Sequence, residues 1–343
     1  MEKFMKLAFI EARKGKNTWT NPQVGAVIVK DNQVLGQGHH ETFGQNHAEI
    51  NALNSLSDIA QAKGSTLYVT LEPCSHFGKT PPCVQKIVEV GIKKVVIGQI
   101  DPNPIVSGRG VEYLRDHGVE VEILELSSDL NSAYNFFYKN KRPLVTLKYA
   151  MTLDGKINRK KGTRSMISNQ LAFDDSQKLR EQNQVILIGE NTLKVDDPKL
   201  TVRTKDLMFP PIRAVMVRDI NTIALNGRLF QASGPIWIFS GTQSQQEFPQ
   251  NVRILVNDWT PQRVIDYLGK QGLESVLVEG GSHIQADFFE QELVDHIIIY
   301  LANKIFGQGL PAIWGKQLPT MNFSDLTVEQ LGSNLKITTW RLD

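Results

Sequence analysis

Short β-rich apolar runs alternate with helical stretches along nearly the whole chain, which limits the fold to α/β layers with helices covering a sheet. In the first half, residues 2–13 place apolar side chains at helical spacing, and a polar loop from Lys14 to Asn21 ends at Pro22. Residues 24–29 and 34–38 are apolar segments separated by the turn dipeptide Asp31-Asn32, which predicts a hairpin. Helices are predicted over 47–56, 82–90 and 110–117, where Pro82 suits a first turn and Gly91 and Gly118 suit stops. Strands are predicted over 67–71, 95–100 and 119–124. A helical stretch over 129–140 then leads into Lys141-Arg142-Pro143, where we place a boundary between domains 1–142 and 143–343. Beyond it the alternation restarts, with strands over 144–150, 185–189, 212–217, 236–239, 276–279 and 296–301 and helices over 170–182 and 283–291.

Bulk properties exclude several classes. A formal net charge of +2 and no dense Lys/Arg–aromatic stripe argue against a nucleic acid partner, and scattered Lys and Arg read as a solvated surface. Charges interrupt the apolar positions of the first thirteen residues, as in an amphipathic helix rather than a signal peptide. No run of about 18 apolar residues suggests a membrane span, so the expected location is the cytoplasm. Two cysteines, Cys74 and Cys83, make no disulfide framework.

Those two cysteines acquire meaning from their neighbours. His47-Ala48-Glu49 opens a predicted helix, Pro73-Cys74 ends a predicted strand, and Cys83 lies in the first turn of the next helix. One imidazole and two thiolates are the three protein ligands of a hydrolytic zinc site, whose fourth position holds a water acidified to a pKa of about 7. Helix N-termini favour a thiolate, here at Cys83. Glu49, two residues from the histidine, is placed to move protons between water, a ring nitrogen and a departing amine. His-x-Glu followed by Pro-Cys is the signature of nucleobase deaminases, although the eight residues between the cysteines exceed the generic spacing of two. Singly, each ligand type is ordinarily a buried thiol or a surface histidine; the joint pattern makes the chemistry. A closed structural zinc site would need a fourth ligand, which His40 or His76 could supply.

The segment from Thr70 through Glu72-Pro73-Cys74-Ser75-His76-Phe77-Gly78-Lys79 to Cys83 resembles the signature of the bifunctional riboflavin biosynthesis deaminase/reductases. Asp101-Pro102-Asn103-Pro104, Gly108-Arg109-Gly110, Thr152-Leu153-Asp154-Gly155-Lys156, Asp196-Asp197-Pro198-Lys199-Leu200-Thr201-Val202-Arg203 and Val278-Glu279-Gly280-Gly281 continue it over essentially the whole chain. The resemblance implies a cytidine-deaminase-like three-layer domain followed by a dihydrofolate-reductase-like domain. It also implies one zinc ion and NADPH as cofactors, and small pyrimidine ribosyl phosphates as substrates. The reactions would be hydrolysis of the 2-amino group of 2,5-diamino-6-(5-phosphoribosylamino)pyrimidin-4-one, then reduction of the ribosyl group to ribityl. By position, Asn21, His40, His76, Lys79, Asp101 and Asn103 would line the deaminase pocket, and association through the reductase half would give a homo-oligomer.

The second half offers neither a dinucleotide-binding Gly-x-Gly-x-x-Gly nor a P-loop. Its local signal is a strand over 276–279 running into Gly280-Gly281-Ser282 and a helix, which frees backbone N–H groups for a phosphate. Carried over from the family, Ala150, Met166, Thr192, Asp196 and the run Gly281, Ser282, His283, Ile284, Gln285, Ala286 and Asp287 would contact the cofactor. Lys148, Arg164, Arg180, Leu200, Arg203 and Glu279 would face the substrate, with the arginines as phosphate partners. The family pattern has tryptophan at the position of Met166 and often serine at that of Arg164; methionine fills the space without an indole N–H. The competing readings are a nucleotide deaminase fused to a non-catalytic domain, a nucleic-acid-editing deaminase, and a structural zinc module joined to a ligand-binding domain.

Overall fold

The computed structural model describes residues 3–77, 81–126, 129–160, 162–315 and 318–342. The chain separates into two compact units, Met1–Lys141 and Arg142–Asp343, and the α/β class expected of both halves is the one observed.

In the first unit the elements are α1 (Lys3–Ala12), β1 (Gly25–Lys30), β2 (Gln33–His39), α2 (Ala48–Asn54), β3 (Thr66–Val69), α3 (Cys83–Glu89), β4 (Lys94–Ile97), α4 (Arg109–Asp116), β5 (Glu120–Ile123) and α5 (Ser132–Asn140). The strands form one sheet in the order β2-β1-β3-β4-β5, with β1 antiparallel to both neighbours and β3, β4 and β5 parallel. Period-two alternation assigns the layers. Ala26, Ile28, Leu67, Val69, Val95 and Ile97 pack against α2, α3 and α4, whereas Val27, Val29 and Val96 pack against Met5 and Ala8 of α1. Asp31 and Asn32 both take positive φ, 50° and 60°, as the tight turn of a hairpin requires, and short polar side chains tolerate it. Close approach explains two glycines: a Cβ on Gly25 would lie 2.1 Å from the Ala8 carbonyl oxygen of α1, and one on Gly38 would lie 2.4 Å from the Ala52 nitrogen of α2. β3 ends at Val69, earlier than expected, because residues 70–74 leave the ladder to build the site.

The second unit contains β6 (Leu144–Thr152), α6 (Gln170–Gln182), β7 (Val185–Gly189), α7 (Glu190–Asp196), β8 (Ile212–Val217), β9 (Ile236–Ser240), β10 (Val252–Val256), α8 (Pro261–Lys270), β11 (Ser275–Val278), α9 (Ser282–Glu290), β12 (His296–Ala302), β13 (Thr327–Leu331) and β14 (Asn334–Trp340). Its sheet runs β10-β9-β8-β7-β11-β6-β12-β14-β13, parallel from β10 through β12 and antiparallel at the last two strands. Val185, Ile186, Leu187, Val276, Leu277 and Val278 are all fully buried, as central parallel strands covered on both faces must be. Sequence patterning left α7, α8, β10, β13 and β14 unassigned. The carboxyl ends of the parallel strands, with the glycine turn after β11, open onto a cavity of ≈ 860 Å³.

Candidate active sites

His47 caps the start of α2, Glu49 lies in its first turn, Cys74 follows β3 and Cys83 opens α3. His47 Nδ1 is 3.4 Å from each of the two sulfurs, and all three ligand atoms lie within 4.8 Å of one another. Zinc bonds of about 2.0–2.3 Å to nitrogen and sulfur need tetrahedral edges of roughly 3.5–3.8 Å, so the spacing and the N,S,S donor set fit zinc. The thiols act as a pair. Cys74 is drawn down to about 4 by the hydrogen bond from Cys83, against burial and with help from His47. Cys83 is pushed well up by the same bond to Cys74 and by burial, and His47 rises to about 9 chiefly through Cys74. The N–H at the start of α3 donates to Cys74 Sγ at 3.4 Å. A metal ion held by these groups would displace the protons they share and leave both cysteines as thiolates, Cys83 included.

Glu49 is 3% exposed, and burial before all else pushes its carboxyl up to about 7, with the neighbouring His47 opposing. A carboxyl balanced there exchanges protons readily near neutrality. His40 is buried beside His47: Nδ1 lies 2.9 Å from the Asn46 carbonyl oxygen and Nε2 3.1 Å from Asn21 Nδ2. Donation from Nδ1 and acceptance at Nε2 make a neutral imidazole, in line with its lowered pKa from burial. The His40 ring meets His47 edge-on at 5.6 Å. Among the described residues the group able to hold a metal is His47, Cys74 and Cys83. Neither His40 nor the exposed His76 belongs to that group, so a tetrahedral zinc held by the three would have a fourth position for water.

Asp101 is buried and pushed up to about 6, first by burial. Its Oδ1 accepts from the Asn103 N–H and the Tyr134 hydroxyl, each at 2.8 Å. His76 lies near enough to act on its charge. Lys79 falls outside the described residues.

Sequence reasoning missed the role of Glu72. This 4%-exposed carboxylate accepts the backbone N–H groups of Asp101, Gly108, Gly110 and Val111 at 2.9–3.2 Å. It thereby binds the loop carrying Asp101 and the start of α4 to the strand end that presents Cys74. A Cβ on Gly110 would lie 2.3 Å from the Pro73 carbonyl oxygen, so glycine is required there. The signal lay in the paired Glu72-Pro73-Cys74 and Gly108-Arg109-Gly110 motifs. Glu72→Gln turns an acceptor into a donor facing other donors, and unfolding stability should fall by on the order of 2–3 kcal/mol. Denaturant melts check this, and an unchanged midpoint would refute the role.

In the second unit the cavity is lined by Lys148, Ala150, Arg164, Met166, Arg180, Thr192, Asp196, Leu200, Arg203, Glu279, Gly281, Ser282, His283, Ile284 and Asp287. Gln285 and Ala286 are not among its walls. Both are buried, Gln285 with its side-chain amide donating to the Gly280 carbonyl oxygen at 2.7 Å. Successive helical residues point about 100° apart, so the run from 281 to 287 cannot share one face. Tyr300, Phe173, Gln177, Arg218 and Trp259 also line the cavity and were not anticipated.

Arg180 and Glu279 form a bidentate pair, Nε to Oε1 at 3.0 Å and Nη2 to Oε2 at 2.5 Å, while Arg180 Nη1 donates to the Thr201 carbonyl oxygen at 3.0 Å. Burial alone would raise Glu279, but Arg180 and Lys148 outweigh it and hold the carboxyl at about 2. The Arg203 guanidinium covers the Phe173 ring at 4.5 Å, and burial with Arg180, Arg164 and Arg228 nearby lowers its pKa. Such a cluster of cations has the charge to receive a phosphate. Leu200 next to it sits at φ 54°, a left-handed conformation unusual for leucine. At the glycine turn, the Gly281 N–H donates to Thr192 Oγ1 at 3.1 Å, tying α7 to the start of α9.

Comparison with known proteins places these geometries. Residues 1–99 match the cytidine and deoxycytidylate deaminase zinc-binding region, and residues 143–337 match the RibD C-terminal domain. The pairing defines a two-domain enzyme with a zinc-dependent deaminase followed by a reductase. The chain is 35% identical to the riboflavin biosynthesis protein RibD of Bacillus amyloliquefaciens, over 98% of this chain and 95% of that protein. It is also 35% identical to the Escherichia coli (strain K12) protein of the same name, over 89% and 88%. The chain belongs to the RibD family of riboflavin biosynthesis proteins. Acinetobacter baumannii RibD superposes with a TM-score of 0.90 at 32% identity, covering 99% of this chain and 98% of that one. The diaminohydroxyphosphoribosylaminopyrimidine deaminase/5-amino-6-(5-phosphoribosylamino)uracil reductase of Thermotoga maritima gives 0.89 at 35%, with the same coverage. No helix among the described residues is long and apolar enough to cross a membrane.

Proposed function

We infer that this chain catalyses two successive steps of riboflavin biosynthesis. The first is zinc-dependent hydrolytic deamination of 2,5-diamino-6-(5-phosphoribosylamino)pyrimidin-4-one, assigned to residues 1–142. The second is NADPH-dependent reduction of the ribosyl side chain to ribityl, assigned to residues 143–343. The observation that carries the reading is the His47–Cys74–Cys83 triangle with Glu49 buried against it, in one chain with a cavity that gathers Arg164, Arg180 and Arg203.

For the first step His47, Cys74 and Cys83 would hold zinc, which would supply an acidified water. Glu49 would accept one proton from the attacking water and pass it to the pyrimidine ring nitrogen as the C–O bond forms, then take the remaining hydroxyl proton and pass it to the amino group as the C–N bond breaks and ammonia leaves. His40 and Asn21 fix the wall beside His47, and Asp101 with Asn103 carries the polar side of the pocket. For the second step the cavity residues would hold NADPH, which would supply the hydride for reducing the ribosyl group. The turn at Gly280-Gly281 and the N-terminus of α9 face the cofactor phosphates, while Arg203 and Arg164 hold the substrate phosphate and Lys148 faces the pyrimidine. A homo-oligomer formed through the reductase unit belongs to the same reading, which the exposed Val328 and Leu335 on β13 and β14 suit.

The deciding experiment supplies purified protein with zinc, the diaminopyrimidine ribosylamine phosphate and NADPH, and follows ammonia release together with NADPH absorbance. Ammonia without NADPH, and both signals with it, are expected. Ammonia with NADPH never consumed would leave a deaminase joined to a non-catalytic domain.

The Arg180–Glu279 pair gives a second measurable expectation. Arg180→Met strands a buried carboxylate and should cost on the order of 3 kcal/mol, because an uncompensated buried charge is costlier than no pair. Arg180→Met with Glu279→Leu should regain most of that stability without regaining reduction. Thermal melts and NADPH consumption on supplied intermediate test both halves, and an undiminished melting temperature in the single variant would contradict the pairing.

A further inference from the structure

Lys148 lines the reductase cavity from β6, yet its ammonium makes no hydrogen bond or ion pair among the described residues. What meets it is a ring face: Lys148 Nζ lies 5.5 Å from the centroid of Tyr300. Tyr300, 1% exposed, is fixed from behind. Its hydroxyl donates to Asp175 Oδ2 at 2.7 Å, and the same oxygen pairs with Lys336 Nζ at 2.8 Å. Ala150, Tyr300 and Lys336 are cross-strand neighbours on β6, β12 and β14, and Asp175 reaches the row from α6. Behind the ring stands the Lys336–Asp175 pair, and on its cavity side Lys148 lies near enough to the Arg180–Glu279 pair to act on its charge.

A cation withdrawn from water needs compensation. A hydrogen-bonded carboxylate would provide it by occupying one of the three ammonium N–H donors, whereas an aromatic face attracts the charge and leaves every donor free. A phenol that donates to a carboxylate gains electron density, which makes its face more attractive to a cation.

We propose that Tyr300, anchored by Asp175 and Lys336, is a positioning residue that presents the Lys148 ammonium, with its donors free, to the pyrimidine substrate of the reductase site. The proposal rests on the reading above that Lys148 faces that substrate.

The test uses the full zinc-loaded chain, saturating NADPH and the deaminated aminouracil ribosylamine phosphate as varied substrate. Tyr300→Leu should raise KM for that substrate about tenfold with kcat within about twofold, the pattern of lost uniform binding. NADPH affinity, read by coenzyme fluorescence, and the deamination rate should not move. Tyr300→Phe keeps the ring and should raise KM by no more than about threefold. If the leucine variant does not fold, Lys336→Met probes the anchor without touching the ring, and a KM increase of about twofold to threefold is expected. Equal effects of leucine and phenylalanine, or losses in kcat and NADPH affinity instead of KM, would show that Tyr300 only packs. Lys148→Met separates the two levels. An unchanged KM there overturns the reading of Lys148 itself. A raised KM there with a normal Tyr300→Leu or Lys336→Met overturns the positioning role alone.

Discussion

Glu49→Gln should lower deamination by about 10³-fold or more while zinc stays bound at one ion per chain, because general acid–base groups contribute about 10²–10⁴-fold. Glutamine has nearly the same shape and cannot accept the water proton. It is not one of the three ligands, so the His47–Cys74–Cys83 triangle is untouched. Without zinc, burial raises the Glu49 carboxyl to about 7, so the zinc-free protein bears a cost for holding it ionised near neutral pH. A neutral amide removes that cost, and the melting temperature of the zinc-free variant should match or exceed that of the zinc-free parent. Reduction of supplied deaminated intermediate should proceed at the normal rate. Metal analysis, ammonia release and a thermal melt on one preparation suffice. Full deamination by the variant sinks the assignment, and loss of zinc would turn Glu49 into a positioning residue for the metal.

The parts of the site that could be read in the sequence were those whose chemistry is rare and whose spacing is local. With two cysteines in the chain, Pro-Cys at a strand end and Cys at a helix start leave few interpretations beside His-x-Glu. Glu72 shows what sequence spacing hides. Its four N–H partners lie about thirty to forty positions away, and nothing but the parallel sheet brings them to the carboxylate. Arg213 shows the limit of reading charge as surface: it lies in β8 at 2% exposure, with its guanidinium donating to the carbonyl oxygens of Leu229, Ala232, Ser233 and Gly234. That cage satisfies a buried cation with backbone alone, which no sequence pattern announces. α8 did carry a start signal, Thr260 capping the Arg263 N–H ahead of Pro261, in a stretch with no flanking motif to draw attention. β13 lies at the sheet edge with nearly every side chain exposed, so it lacks the alternation that marks a half-buried strand. The reductase pocket is assembled from seven parallel strands and their loops, and its walls became legible through resemblance rather than through spacing.

Cys83→Ser should release zinc and abolish deamination while leaving reduction of supplied intermediate intact. The site has three protein ligands, and a serine hydroxyl is a poor replacement for a thiolate, so removing one ligand leaves an imidazole and a single sulfur. The damage should stay local. The core of the first unit is built from Ala26, Ile28, Leu67, Val69, Val95 and Ile97 against three helices, and its burial does not depend on the metal. The Cys83 backbone N–H, which supports Cys74 at 3.4 Å, is unaffected by the substitution. A buried hydroxyl in place of a thiol adds a cost of about 1–2 kcal/mol, which a domain of ordinary stability survives. The residues proposed for reduction, from Lys148 to Asp287, all lie in the unit that begins at Arg142. Dialysed Cys83→Ser protein should therefore carry near-zero zinc, release no ammonia from the diaminopyrimidine, and still oxidise NADPH when given the deaminated substrate. Chelating zinc from the unsubstituted chain should reproduce this. If both activities vanish while the protein remains folded, the two reactions share one site and the division at residue 142 is wrong. If zinc is retained at full occupancy, a ligand other than Cys83 completes the shell.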